Sequence, residues 1–520
     1  MNLAFDPWIP CVRDDGSACS VSLIQCFTDA GIVDVAVRPH ERVAMMRLLL
    51  CVAYAACGVP ADYEAWLACR ERLPQAVAAY LEKWRDSFEL FHPQKPFLQV
   101  AGLKSAANNE EEEDGGQITT AKLDFALAAG NNSTLFDHEG TNANRATAPE
   151  RLALNLLTYQ AFSPGGLIGS VCWNDVTTAR NSSDAPCAPA SMLHTFLRGR
   201  NLPESIFLNM AAADELSAYA ALGGNWQGRP LWEQFPAEPD DKAAVENATR
   251  TFLGRLVPLA RAVLLSADGK TMLLGNGLLY PTFTNSTNPF PAEFSATVVT
   301  RGEKNELTLL GLQPGKAIWR QLHALTVKRH DGLGGCIALQ HCDGETDVDI
   351  VVDGLARDKA DIVDAVESVF PVPRTMFAEA GHKTYEAAVQ QAENVEWILG
   401  HAVETWRTLV DGGWNGRLKM AGKDSKKERD KLRALASREY WTAVEHNLPL
   451  LLAMTTALGS PEFPEKQAAW RTLLRQSALR AYEMACGRDN ERQMRAFVAG
   501  KRLLLGSARK ILGQAEKEKQ

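Results

Sequence analysis

Apolar residues recur at helical spacing along the last third of the chain. Segments near residues 375–411, 424–457, 461–487 and 489–515 are rich in Ala, Leu, Trp, Arg, Glu and Lys in that rhythm. Gly412-Gly413, Gly459-Ser460-Pro461 and Gly487 separate them, and Pro449 is expected to kink or break the second. Four helices joined by short connections predict an antiparallel four-helix bundle over residues 371–520. Upstream the pattern changes. An apolar run from Leu48 to Cys57 follows Pro39 and stops at Gly58, which predicts a buried helix, too short to span a bilayer. Residues 295–312 alternate apolar and polar around Arg301-Gly302-Glu303-Lys304-Asn305, the mark of a hairpin. Residues 336–352 repeat that form around Cys342-Asp343-Gly344-Glu345. No run of βαβ units appears, so residues 1–370 read as a large irregular α+β domain with short hairpins, ahead of the bundle.

Composition adds limits. A chain of 520 residues with 46% apolar and 23% charged positions can bury large cores and is not wholesale disordered. No basic stretch followed by an apolar one opens the chain, so no secretory signal or membrane span is expected. Eleven cysteines fall without pairing rhythm and without a Cys-x-x-Cys, which suggests a reduced cytoplasmic protein without structural zinc. The net charge of −8 argues against gripping nucleic acid by bulk electrostatics. Its distribution is uneven: residues 371–520 carry 25 basic against 18 acidic side chains, and the preceding 370 carry 30 against 45. A basic C-terminal part suggests local phosphate contact, or simply solvated helix faces.

Catalytic constellations are weak. His330-Asp331 is the dipeptide of some metal phosphohydrolases, yet Gly332, Gly334 and Gly335 follow at once and favour a turn. His341 lies beside Cys342 and Asp343 with no ligand-spaced partner. No Gly-x-Ser-x-Gly elbow, Walker loop or His-Glu-x-x-His occurs. A hydrolase with a spatially assembled metal site on His330, Asp331 and His341 stays open as an alternative, as does a purely structural scaffold. A binding role without metal, cofactor or catalysis is the preferred reading.

Three strings point to a particular binder. Met1-Asn2-Leu3-Ala4-Phe5-Asp6-Pro7-Trp8-Ile9-Pro10, Lys95-Pro96-Phe97-Leu98-Gln99 and Ser163-Pro164-Gly165-Gly166 occur in this order ahead of the helical segment. In that arrangement the chain resembles the CasA family, the large subunit of the type I-E CRISPR surveillance complex, Cascade. The resemblance implies a non-catalytic subunit that recognises the protospacer-adjacent motif of target double-stranded DNA through the minor groove. It further implies initiation of strand opening for the guide crRNA, and recruitment of the helicase-nuclease in antiviral defence. The other implied partners are the backbone, small, 5′-handle and guide-processing subunits.

Individual residues carry paired readings. Gly165 and Gly166 follow an apolar helix and form either an ordinary turn or, as the resemblance implies, a bare backbone that enters a minor groove about 6 Å wide. Lys270 sits in the turn Asp268-Gly269-Lys270, upstream of Asn276-Gly277-Leu278. It is either an exposed hairpin lysine or, by resemblance, a donor to adenine N3 and thymine O2. Lys359 and Ala360, within Gly354–Ile362 between an expected strand and helix, occupy the place where the family inserts a wedge, commonly a glutamine. The departure to lysine leaves an amine there, and Asp358 can equally cap a helix. Asn131, Asn132, Phe136 and His138 correspond to a loop that in the family meets the guide RNA handle and neighbouring subunits. Phe136 either stacks on a base or plugs the core. Lys423, Lys426, Lys427, Arg429, Lys431 and Arg433 form the densest basic run, a phosphate contact or a solvated helix start.

Overall fold

A computed structural model describes residues 1–106, 117–127, 146–163, 165–182, 187–188, 191–280, 291–302, 306–342, 347–358, 361–412 and 423–513. The chain divides into two compact units, Met1–Asp343 with Val348–Pro371, and Gly344–Asp347 with Val372–Gln520.

The first unit mixes helices with small antiparallel sheets. Ile9–Arg13 (β1), Ala18–Val21 (β2) and Ile32–Val35 (β3) form one in the order β2-β1-β3. Pro39–Cys57 (α1) follows as expected. Pro39 opens it, Glu41 accepts the Arg38 amide at 2.9 Å, and Gly58 ends it at φ 77°. It is buried on all sides from His40 to Tyr54 and packs against Tyr63–Lys83 (α2). Further along come Ile118–Thr119 (β4), Pro149–Phe162 (α3), Gly166–Leu167 (β5), Val171–Trp173 (β6) and Asn181–Ser182 (β7). Leu193–Arg198 (β8), Arg261–Leu265 (β9) and Thr271–Asn276 (β10) complete the middle of the unit.

Val298–Arg301 (β11) and Leu307–Leu309 (β12) pair antiparallel, the hairpin that the alternation predicts. The second expected hairpin does not form. Residues Ile337–His341 make a 3-10 turn whose consecutive apolar side chains Ile337, Ala338 and Leu339 are all buried. The alternating stretch beyond it is Val348–Asp358 (β13), which pairs with the distant β8 and with Asp361–Val372 (β14) in the order β8-β13-β14. The region after Lys359-Ala360 is therefore a strand, and Asp358 caps no helix. The β-branched run Ile362, Val363, Val366 and Val369 accounts for this.

The second unit contains Glu379–Val410 (α4), Lys423–Glu445 (α5), Leu448–Thr456 (α6), Phe463–Ala485 (α7) and Glu491–Leu512 (α8). Pro449 falls in the first turn of α6, where its missing N–H is not needed, and the helix breaks before it. α4 lies along α8 and α5 along α7, while the short α6 packs on α4 and α7. Gly500 permits this: a Cβ there would stand 2.2 Å from the Tyr482 hydroxyl and 2.8 Å from the Ala402 carbonyl.

The core of the first unit also buries charge. Arg47, 1% exposed, bonds Glu293 at 2.6 Å and the Leu256 carbonyl at 2.9 Å, and Glu293 also receives Arg255 at 2.9 Å. Burial raises the Glu293 carboxyl, but the two guanidinium charges outweigh it and hold it below its ordinary range. The Arg47→Leu substitution should cost about 3–5 kcal/mol, because it takes one partner from a buried pair. A urea titration followed by tryptophan fluorescence reads this as a lower midpoint for this unit. In the native protein the Glu293 contribution is full above the ordinary carboxylate pKa and is lost as pH falls through the depressed value. The variant should lose part of that acid-dependent slope, and an unchanged midpoint would remove the pair from the list of stabilising contacts.

Candidate nucleic-acid interface

The Lys270 turn joins β9 to β10 and is locked by its own side chains. Ser266 donates its hydroxyl to Asp268 at 2.6 Å, and the same carboxylate accepts the Lys270 amide at 3.1 Å. The Ser266 hydroxyl bond, then the Lys270 amide and the Lys270 charge, hold the Asp268 carboxyl below its usual range despite opposing desolvation. Gly269 has φ +69°, and a Cβ on it would approach the Thr147 carbonyl to 2.6 Å. Outside bonds clamp the turn as well. The Gly269 carbonyl accepts from the Thr147 amide at 3.0 Å and the Thr120 hydroxyl at 2.9 Å, and the Lys270 carbonyl accepts from the Thr120 amide at 3.0 Å. β4 adds itself to β10 beside the turn, with Thr119 opposite Thr271. Lys270 is partly exposed on a rigid support.

The glycine segment leaves the end of α3. Gly165 is exposed, and Gly166 lies in β5 opposite Ser182 of β7. Three residues on, a Cβ on Gly169 would stand 2.7 Å from the Leu274 carbonyl of β10. A Cβ on Gly275 of the same strand would stand 2.2 Å from the Val171 side chain. The segment therefore lies directly against the hairpin that carries Lys270. Just before it in the chain, the Phe162 carbonyl accepts from Arg357, near the end of β13. Arg357 also covers the Phe125 ring at 5.9 Å, and Phe125 stacks on Tyr159 of α3. Gly165 and Gly166 thus lie in the chain between Phe162, held by Arg357 of β13, and Gly169 and Val171, packed on the Lys270 hairpin. Sequence reasoning gave Arg357 no role. A guanidinium directly after the apolar pair Leu355-Ala356 is the available signal.

The expected residues Asn131, Asn132, Phe136 and His138, like Lys359 and Ala360, lie outside the described residues. Their flanks are informative. Thr120, Asp124 and Phe125 precede residues 128–145 and Thr147 follows them. Thr120 and Thr147 are the residues bonded to the Lys270 turn. Asp124 pairs with Arg38 and, at 3.0 Å, with Arg151; Arg38 and Arg151 also pair with Glu41. Burial raises the Asp124 carboxyl, and the Arg38 hydrogen bond, the Ala126 amide and both cations outweigh it, so it stays ionised. One network thereby ties the starts of α1 and α3 to this flank.

The sequence profile of the family described as CRISPR-associated protein Cse1 matches residues 2–481. The chain belongs to the Cse1 family. The CasA/Cse1 protein of Thermus thermophilus is 29% identical over 513 residues, covering 93% of this chain and 91% of that protein. The solved structure of Cse1 from Acidimicrobium ferrooxidans matches with a TM-score of 0.75 at 19% identity, over 98% of both chains. A chain in a structure described as a CRISPR RNA-guided surveillance complex matches with a TM-score of 0.68 at 19% identity, over 97% of this chain and 99% of that one. The Cse1 strings have structural explanations here. Trp8 donates its indole to the Leu3 carbonyl at 2.8 Å. Gln99 bridges the Leu90 carbonyl and the Leu265 amide at 2.7 and 2.9 Å, standing in for a strand beside β9. Gly277 is tight against the Ala260 carbonyl, 2.7 Å from a would-be Cβ.

Against this Cse1 frame the metal-site residues do not assemble. His330 and Asp331 are 92% and 87% exposed in a turn where Asp331 has φ 51°. The His341 side chain is buried, with Nε2 2.8 Å from the Leu208 carbonyl, Nδ1 3.3 Å from Glu215 and its ring stacked on Trp66. Nε2 so placed is a donor and offers no lone pair. Among the described residues no group of three or more His, Cys, Asp or Glu can hold a metal ion. No helix among them is long and apolar enough to cross a membrane. All eleven cysteines are free. The basic run on α5 is split between faces: Arg429 turns toward Glu404 of α4 at 3.9 Å and Lys431 pairs with Glu428 at 3.0 Å, while Lys426 and Lys427 are exposed.

Replacing Gly269 with Ala should strain the turn by more than about 1 kcal/mol, since the site needs positive φ and has no room for a methyl group. Amide exchange provides the check. Faster exchange at Thr120 and Thr147 is expected, and protection equal to the native protein would show that the clamp does not depend on glycine.

Proposed function

We propose that this Cse1-family chain is the large, non-catalytic subunit of a type I-E CRISPR surveillance complex in the cytoplasm. It reads the protospacer-adjacent motif of target duplex DNA from the minor groove and helps open the first base pairs for the guide crRNA. Gly165 and Gly166 supply bare backbone, Lys270 an ammonium donor, and Lys359-Ala360 the wedge. Residues Asn131, Asn132, Phe136 and His138 meet the guide handle and neighbouring subunits. In this reading the α+β unit recognises motif and handle, and residues 371–520 assist with the strands. The complex then presents a surface to the helicase-nuclease.

The observation that carries the reading is the convergence around α3: the glycine segment lies against the hairpin of Lys270 and next to the hairpin that brackets residues 359–360. A groove floor admits backbone and one slim cation where bulkier side chains clash, and its acceptors distinguish only coarse base classes. Such limited discrimination suits a short motif, because guide pairing carries the rest of the sequence information. Unstacking the first step costs a few kcal/mol, offset by the contacts and by RNA–DNA pairing.

Lys270→Ala in the assembled complex should weaken target-duplex binding by about 1.5–3 kcal/mol, the value of a charge-assisted hydrogen bond, and leave crRNA assembly intact. Gel-shift titration with motif-bearing and motif-less duplexes measures both, and equal affinity with equal motif preference would remove Lys270 from the interface. Gly165→Leu with Gly166→Leu should block duplex engagement sterically. A folded double variant that binds normally would reduce the segment to a turn.

A further inference from the structure

A groove of about 1290 Å³ runs between α7 and α8, lined from Pro464 to Gln476 on one helix and from Val498 to Leu512 on the other, with Gly513 just beyond its end. Five cations, Arg471, Arg475, Lys501, Arg502 and Arg509, line it, and among the described residues no carboxylate does. Lys501 is tied to Glu483 at 2.9 Å. The other four form no ion pair among the described residues, and the buried Nε of Arg471 has no acceptor there. Between these rims the floor is aliphatic. Val498 is 58% and Leu505 36% exposed, seven residues apart on one face of α8. Among the described residues no aromatic side chain lines the groove.

We infer that this groove docks an acidic amphipathic helix of a partner protein. Two helices side by side offer the geometry of helix-in-groove recognition, in which apolar side chains at one stripe of the guest fill the floor. The stretch from Val498 to Leu512 is about 20 Å long at the α-helical rise, room for about four turns of guest. Leu, Ile or Met on the guest would cover Val498 and Leu505. Asp and Glu flanking that stripe would meet Arg471 and Arg475 on one rim and Arg502 and Arg509 on the other. A single-stranded nucleic acid fits less well. Such strands are held by bases stacked on aromatic rings, and the floor here is aliphatic. The overall charge of −8 makes this unpaired cationic track a local attraction for an acidic guest, with a salt-dependent on-rate. The inference does not depend on the minor-groove reading.

The test uses the full chain and a fluorescein-labelled synthetic helix of about 18 residues, with Leu on one stripe and Glu beside it. A scrambled peptide and an oligothymidylate strand serve as controls. Saturable, salt-sensitive anisotropy is expected with the patterned peptide and much weaker binding with the scrambled one. Arg475→Glu with Arg502→Glu, and separately Leu505→Asp, should each weaken it about tenfold or more, with helicity unchanged by circular dichroism. Arg502→Gln, at an exposed position, is the milder variant if charge reversal disturbs the fold. Absence of patterned-peptide binding, or binding indifferent to these changes, overturns the inference. Competition by oligothymidylate that responds to the charge reversals but ignores Leu505→Asp also overturns it, and assigns the groove to nucleic acid.

Discussion

The candidate interface depends on missing side chains at three positions that face other chain segments. Gly169 meets the Leu274 carbonyl, Gly275 meets Val171, and Gly269 meets the Thr147 carbonyl, each closer than any Cβ tolerates. Those contacts let the segment after α3, the β9–β10 hairpin and the flank at Thr147 converge. Once they converge, backbone hydrogen bonds fix them. The Gly269 and Lys270 carbonyls accept from Thr120 and Thr147, so the turn that presents Lys270 is held from outside as well as by Ser266 and Asp268. A flexible lysine on a rigid base loses less freedom on binding than one on a mobile loop, which is how pre-organisation raises affinity.

Buried charge sets the orientation of the helices beneath. Arg47 and Arg255 converge on Glu293, and Arg38 and Arg151 share Asp124 and Glu41. Such pairs add modest net stability over well-packed hydrocarbon, but leaving one charge alone is costly. They act as registration marks. The start of α1, the start of α3 and the flank around Asp124 can adopt only the arrangement in which every charge is met. Because α3 leads directly into Gly165 and Gly166, that registration reaches the glycine segment.

Local signals made part of this legible in the sequence. Pro39 and Gly58 delimit α1, Pro449 breaks the α5–α6 line, and alternation marks β11 and β12, because each depends on residues near in sequence. The stretches 336–352 and 354–362 misled for the opposite reason. β13 takes its partner from residues 193–198, and alternation says nothing about which distant strand will pair. The same limit applies at the site. The sequence singled out Gly165, Gly166 and Lys270, but the contacts that bring their segments together belong to Gly275, Thr120, Thr147 and Arg357. The obligation for glycine at 275 arises from Val171, which is about 100 residues away in the chain and so leaves no local trace.

Net charge alone hides a difference in what the cations do. In the α+β unit Arg38, Arg42, Arg47, Arg151 and Arg255 are bound to carboxylates and take part in folding. Along the α7–α8 groove the guanidinium groups of Arg475, Arg502 and Arg509 have no such partners among the described residues. In the proposed reading a duplex reader on the first unit needs few free cations, since guide pairing carries the sequence information and the protein adds local contacts. The unpaired cations of the second unit are available for something else, and their aliphatic floor favours a guest that brings hydrocarbon along with its negative charge.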